Sequence, residues 1–350
     1  MIDLSKDKLP NITNGNTPKN YELCQEGDIA FADASEDTNE VAKAVEFYKL
    51  NGKAVICGLH TIHGRDNHQK TVVGYKGYAF SSMVFHHQIR RIAQGTKIYS
   101  INSKNFSECY IGIPSKEEQK KIATLLRLID ERIVTQNKII EDLKKLKSAI
   151  IENVFDDKHS ERLQLDNVGS YIRGLTYSSN DVVEHGGTLV MRSNNIVNGS
   201  LLDYNNNVVF VNKQMSAEQQ LQNGDIVICM ANGSSSLVGK SSFYDGNWHS
   251  PITVGAFCGI YRSKEPIVKW LFQTNKYRRY IWNSLQGGNG AIANLNGEDI
   301  LNMSFSIPNA PIKDTCVKML TSVDSALENN MSLCALYTLQ KQHLLRQMFI

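Results

Sequence analysis

The chain has 350 residues, 41% hydrophobic and 21% charged, with a formal net charge of +3. That length can bury two cores, and so small a charge excludes a whole-molecule basic field, so any nucleic-acid binding must come from local patches. Cys24, Cys57, Cys109, Cys229, Cys258, Cys316 and Cys334 form no CxxC pair and there is no eighteen-residue apolar run or signal-peptide pattern, which fits reduced thiols in a cytoplasmic chain with no membrane partner.

Residues 1–112 read as a first lobe. It opens on a polar run, LPNITNGNTPKN, expected as loop. Strand-like pieces follow at 28–31, 54–59 and 71–73, then an amphipathic helix at 84–93. At 113–155 the pattern changes. Pro114 stands where a helix start tolerates proline, Ser115 is an N-cap candidate, and Glu117 and Glu118 suit the dipole of a first turn. Ile122, Leu126, Ile129, Ile133, Gln136, Ile140, Leu143, Ile150 and Val154 then recur in alternating threes and fours, with one step of seven after Leu143. This is the seam of a coiled-coil-like helix over 116–154, roughly 58 Å long at about 1.5 Å per residue. Such a stripe needs a partner to bury it.

A polar linker at 156–160 leads to a second lobe, 161–306, with strands expected at 188–191, 207–211, 226–230 and 253–261. Residues 268–282 read as helix, and Gly287, Gly288 and Gly290 as a flexible loop. A second long helix follows at 312–348. Shifting the sequence by 194 residues lays Pro114 on Pro308, Leu126 on Leu320, Asp130 on Asp324, Gln136 on Asn330, Lys147 on Lys341 and Phe155 on Phe349. The chain is therefore an internal repeat, and the two helices are expected to pair antiparallel with the lobes at opposite ends. Gly27-Asp28-Ile29 resembles Gly224-Asp225-Ile226, while the first lobe lacks a counterpart of about 161–197. A naturally short or rearranged version, or a fragment, is expected. Mixed strand and helix in each lobe gives an α+β class.

The IP-x-x-EEQ-x-x-I opening (Ile113, Pro114, Glu117, Glu118, Gln119, Ile122), the segment GTKIYSIN at 95–102 and GLHTIHGR at 58–65 resemble the specificity subunit of type I restriction–modification systems. The resemblance covers essentially the whole chain. It implies two target recognition domains, 1–112 and 157–306, separated by two long antiparallel spacer helices, 113–156 and 307–350, in a pseudo-twofold repeat. It also implies a non-catalytic subunit that recognises bipartite double-stranded DNA. Two methyltransferase subunits and restriction (translocase) subunits would be its partners. S-adenosylmethionine and ATP would belong to those partners, so no cofactor is expected here.

Base edges are read by Arg or Lys at guanine and by Asn or Gln at adenine, and phosphates by Lys, Arg, Ser and Thr. In the second lobe these types concentrate at Arg192, Asn194 and Asn195, at Asn232, Ser234, Ser235 and Lys240, and at Asn289 and Asn294. Lys276, Arg278 and Arg279 form a basic cluster with Tyr277 and Tyr280. The first lobe offers Ser35, His60, Arg65 and Lys97. Each could instead lie on a plain solvated face. ANGSSSLVGKS at 231–241 nearly matches a phosphate-binding loop, but Ser234 stands where glycine is needed and SSFYDGNW is a poor helix. Cys57, His60, His63 and His68 are spaced like metal ligands, yet strand alternation should scatter them over two faces, so a core cysteine with surface histidines is expected. No methyl-transfer or nuclease motif stands out. A coiled-coil scaffold that reads no DNA and a small nucleotide-binding enzyme are the alternatives.

Overall fold

The computed structural model describes residues 1–12, 20–156, 161–285 and 293–349. It falls into two compact units, Met1–Ile140 with Asn329–Ile350, and Glu141–Glu328. Strands and helices mix in both, as the α+β reading expects.

The helices Lys116–Val154 and Ala310–Met348 are each 39 residues long. Ser115 caps the first, its Oγ accepting from the Glu118 amide at 3.3 Å. The glutamine of the EEQ run is fully buried. Gln119 accepts from the Val72 amide at 2.9 Å and donates to the carbonyls of Lys70 and Pro114. It fastens the helix start to the lobe, which accounts physically for that motif.

In the first unit the helices run antiparallel. Gln136 donates to Asn330, its own equivalent in the repeat, and Lys341 pairs with Asp130 at 2.6 Å. In the second unit Lys147 pairs with Asp324, also at 2.6 Å. The 194-residue shift exchanges these two ion pairs, as antiparallel pairing of equal helices requires. Each carboxylate also accepts from its lobe, Asp130 from the Tyr78 hydroxyl at 2.8 Å and Asp324 from Trp270 Nε1 at 3.2 Å. The expected seam is less regular than its spacing suggests, with Ile133 and Leu143 only half-buried. Lys147 and Ile151 are buried, while Ile150 is only half-buried.

The first lobe is built on a four-stranded sheet in the order Ile2–Asp3, Ala44–Lys49, Ile29–Ala32, Thr61–Gly64. Helix Met83–Ile92 lays Phe85 and Ile89 on its core. The second lobe repeats this plan with Ser241–Phe243, Ile226–Cys229 and Cys258–Ser263 in the same order, followed by Gly169–Arg173. The registers match residue for residue. Ile29 faces Glu46 and Gly64, and Ile226 faces Phe243 and Tyr261, all 197 positions on. Both plans turn on a glycine in the left-handed region, Gly27 at φ +90° and Gly224 at φ +91°. The aspartate after each glycine is locked by an arginine 37 residues on, as detailed below. A second sheet in the second lobe, in the order Ile252–Val254, Thr188–Met191, Val209–Val211, Val182–Val183, has no equal among the described sheets of the first.

Several expected elements differ. Residues 71–73 are a turn, with Asp66 accepting from the Thr71 amide and hydroxyl. Residues 54–59 hold only a bridge, Ile56 to Leu23, while the strand lies earlier at Ala44–Lys49. The helix expected at 268–282 is two helices, Val268–Leu271 and Asn275–Leu285, because Thr274 Oγ1 accepts from the Tyr277 amide and starts the chain anew. The strand expected at 253–261 is likewise two, Ile252–Val254 and Cys258–Ser263. The glycines at 287, 288 and 290 and most of the linker lie outside the described residues.

Candidate nucleic-acid interface

In the second lobe the turn at 235–240 meets helix Asn275–Leu285. The Tyr277 hydroxyl donates to the Gly239 carbonyl at 2.8 Å. Gly239 has φ +81°, and a Cβ there would lie 2.7 Å from Ile281, so this close approach needs glycine. The junction leaves a groove of about 410 Å³ lined by Ser235, Lys240, Arg278 and Trp282, among others. Three candidate residues thus meet in one place. Arg278 is exposed and Lys240 half-buried, so two cations and a hydroxyl line the groove beside an indole that is 63% exposed, a set chemically suited to an oxygen-rich ligand. A backbone phosphate suits the cations. Trp282 was not among the expected residues. Its position four after Arg278 puts it on the same helix face, a signal the sequence did contain.

The rest of the basic cluster divides. Arg279 is exposed and Lys276 half-buried. Tyr277 is buried, and Tyr280 donates its hydroxyl to the Ser304 carbonyl at 2.9 Å, so both tyrosines anchor the helix rather than offer a stacking surface.

A second group forms a polar rim. Strand Ala231–Asn232 pairs with Ala293–Asn294, placing Ala231 opposite Asn294. Asn232 Nδ2 reaches Ser193 Oγ at 3.4 Å and its Oδ1 accepts from the Ser234 amide. Asn194, Ser234 and Asn294 are exposed around it. Arg192 donates to the Asn207 carbonyl at 3.0 Å, while its Nε is buried without an acceptor among the described residues. Asn195 is a correction to the expectation. It is fully buried, its Oδ1 accepts from the Arg192 amide, and its Nδ2 donates to the carbonyls of Asp203 and Asn206. It shapes the turn and has no face left for a base. Asn289 lies outside the described residues.

In the first lobe, Ser35 lies on strand Ala34–Ser35 opposite Tyr99, the position Asn232 holds opposite Ala293. His60 and Lys97 are exposed. Arg65 is the other correction. It donates to both Asp28 oxygens, at 3.0 Å from Nε and 2.6 Å from an Nη, to the Leu23 carbonyl, and to Glu22. Arg262 does the same for Asp225 and the Gln220 carbonyl in the second lobe. The side chain is a strut common to both lobes. Burial alone would raise the Asp28 carboxyl, but Arg65, the Gln25 amide and His63 outweigh it and hold it below the usual carboxylate range.

After the near phosphate-binding sequence the chain forms strand Ser241–Phe243, with no helix N-terminus to receive a phosphate. No described helix is long and apolar enough to cross a membrane.

Residues 58–145 match the family model of the type I restriction modification DNA specificity domain. The chain is 35% identical over 155 residues to the type I restriction enzyme EcoKI specificity subunit of Escherichia coli K12, covering 41% of this chain and 31% of that one. The StySPI specificity subunit of Salmonella potsdam is 34% identical over 153 residues, with 41% and 31% covered. These matches span less than a third of the curated relatives' length. The crystal structure of the type I restriction–modification S subunit from M. genitalium has a similar fold, with a TM-score of 0.60 at 15% identity, covering 97% of this chain and 87% of that one. The stretch similar to that family, 58–145, runs from the first lobe into the first long helix.

Proposed function

We propose that this chain is the DNA sequence-specificity subunit of a type I restriction–modification complex. It reads one half of a bipartite duplex site with each lobe and performs no catalysis itself. The long helices and adjoining lobe faces carry two methyltransferase subunits, and restriction subunits join the assembly. S-adenosylmethionine and ATP act on those partners, in the cytoplasm. In the second lobe, Lys240, Arg278 and Arg279 hold phosphates, and Asn194, Asn232 and Asn294 face base edges. The first lobe uses Ser35, His60 and Lys97.

The observation that carries this reading is a match to the type I specificity family over 58–145 within a chain that carries lobe and helix twice. The groove with two cations supports the phosphate contacts, and the asparagine rim supports adenine readout. The test is co-purification with the methyltransferase subunits, followed by retention on duplex DNA. Retention of the assembly, lost without this chain, is expected. An assembly that binds and methylates the same sites without it would overturn the reading.

A further inference from the structure

Cys24, Cys57 and one ring nitrogen of His63 bring their ligand atoms within 4.8 Å of one another in the first lobe. Strand alternation suggested that Cys57 and the nearby histidines would scatter. Cys57 instead follows the bridge that joins Ile56 to Leu23, and the Cys24 amide donates to the Val55 carbonyl. Cys24 and Cys57 therefore lie diagonally across two antiparallel segments on one face. Strand Thr61–Gly64 brings His63 beside them, while His60 and His68 remain exposed.

We propose that Cys24, Cys57 and His63 form a structural site for a thiophilic divalent cation of the zinc class. The two sulfurs lie 3.7 Å apart. Tetrahedral zinc with bonds of about 2.3 Å to sulfur places two thiolates about 3.8 Å apart, so the pair already spans one edge of the polyhedron. His63 is oriented from outside the cluster, because its Nε2 lies 2.9 Å from Asp28 Oδ2, and Asp28 is held in turn by Arg65. A carboxylate behind a ligating histidine is the usual support of such a site. The fourth position falls to water or to the exposed Glu22 carboxylate, 3.7 Å from His63 Nδ1.

The duplicate lobe argues that the scaffold does not need these side chains for packing. At the same sheet positions, 197 residues on, it carries Leu221, Val254 and Ile260, and all three pack in an apolar core. The Leu221 amide donates to the Ile252 carbonyl just as the Cys24 amide donates to that of Val55. Asp225 and Arg262 keep the strut there. Only the sulfur and imidazole ligands are peculiar to the first lobe. The cation would tie the segment around Cys24 to the strand carrying His63, a link the second lobe makes with hydrocarbon.

The test uses the full chain, reduced, stripped with chelator and titrated anaerobically with Co²⁺. A thiolate-to-cobalt charge-transfer band and tetrahedral d–d bands should saturate at one cobalt per chain and vanish on adding Zn²⁺. C24L/C57V, which installs the second lobe's residues, should keep the native circular dichroism and lose the bands. C57S, which barely changes volume, should lose about half of the charge-transfer intensity, since one thiolate of two remains. Absence of the charge-transfer band in the native chain, or its persistence in C24L/C57V, would overturn the proposal. So would a Cys24–Cys57 disulfide in the freshly purified chain.

Discussion

Removing the Asp324 carboxylate should unfasten the second unit far more than the same change at Asp130 unfastens the first. In D324A, Lys147 would keep its charge where its side chain is only 9% exposed, with the Gly199 carbonyl at 3.1 Å as its remaining partner. The ion pair removed spans 2.6 Å, worth about 6 kcal/mol gross at an effective dielectric of about 20. Desolvation offsets part of that, and breaking a buried pair costs about 3–5 kcal/mol. The Gly199 hydrogen bond places the expected loss near the lower end. Asp130 and Lys341 are 33% and 29% exposed, so the ion pair lost in D130A should cost about 1 kcal/mol or less, with the Tyr78 hydroxyl losing its acceptor besides. All three tryptophans, Trp248, Trp270 and Trp282, lie in the second unit. Urea denaturation followed by tryptophan fluorescence therefore isolates it. D324A should lower that midpoint, D130A should leave it in place, and K147M/D324L should recover part of it, because a hydrophobic replacement removes the stranded charge while Trp270 Nε1 and Lys269 still lose their acceptor. A D324A loss under about 1 kcal/mol, or an equal loss from D130A measured by hydrogen exchange in its own unit, would refute the reasoning.

Other consequences can be measured with the same reagents. Replacing Lys276, Arg278 and Arg279 with alanine should weaken binding to every duplex and flatten the salt dependence by about 0.9 in log–log slope for each phosphate no longer neutralised; an unchanged slope would remove this helix from the interface. N232A should relax one base position by roughly 1–3 kcal/mol if its contact is bidentate, whereas N195A should cost about 1–3 kcal/mol of stability through stranded backbone groups without altering the recognised sequence. Burial alone would raise the Asp324 carboxyl, but Lys147 and Lys269 outweigh it and hold it low in the folded chain. Its contribution is then fully present above the unfolded value of about 3.9 and is lost as pH falls through the lower folded value; acid titration of D324N should lack that component, and an unchanged acid transition would exclude it.

The long helices were legible because nothing interrupts their period of three and four, and Pro114 and Ser115 mark where the first begins. The repeat was legible in them because seam residues keep their character under the 194-residue shift. The lobes were harder. Their strand registers match at a shift of 197, yet the side chains that fill equal positions differ, Glu46 against Phe243 and Cys24 against Leu221. Strand Ala44–Lys49 was missed because Glu46 interrupts its apolar run. That glutamate is buried and accepts from the amides of Gly74 and Gly77, a partnership invisible until the chain folds. Thr71, Val72 and Val73 looked like a strand through β-branching alone, but Asp66 turns them. Of the candidate site, Arg278, Lys240 and Ser235 were singled out by residue type, and their meeting in one groove depends on Gly239. Arg65 was misread although the sequence held the clue, an aspartate and an arginine 37 positions apart in both lobes.

The central claim is that this chain chooses the DNA sequence. Its most direct test is to map methylated adenines on a randomised duplex pool, using methyltransferase subunits assembled with the native chain and with N194A/N232A. The account predicts a bipartite motif with the native chain, and a motif relaxed in one half alone with the variant. An identical motif from both chains would remove those asparagines from the reader, and the same motif from the methyltransferase subunits alone would contradict the claim.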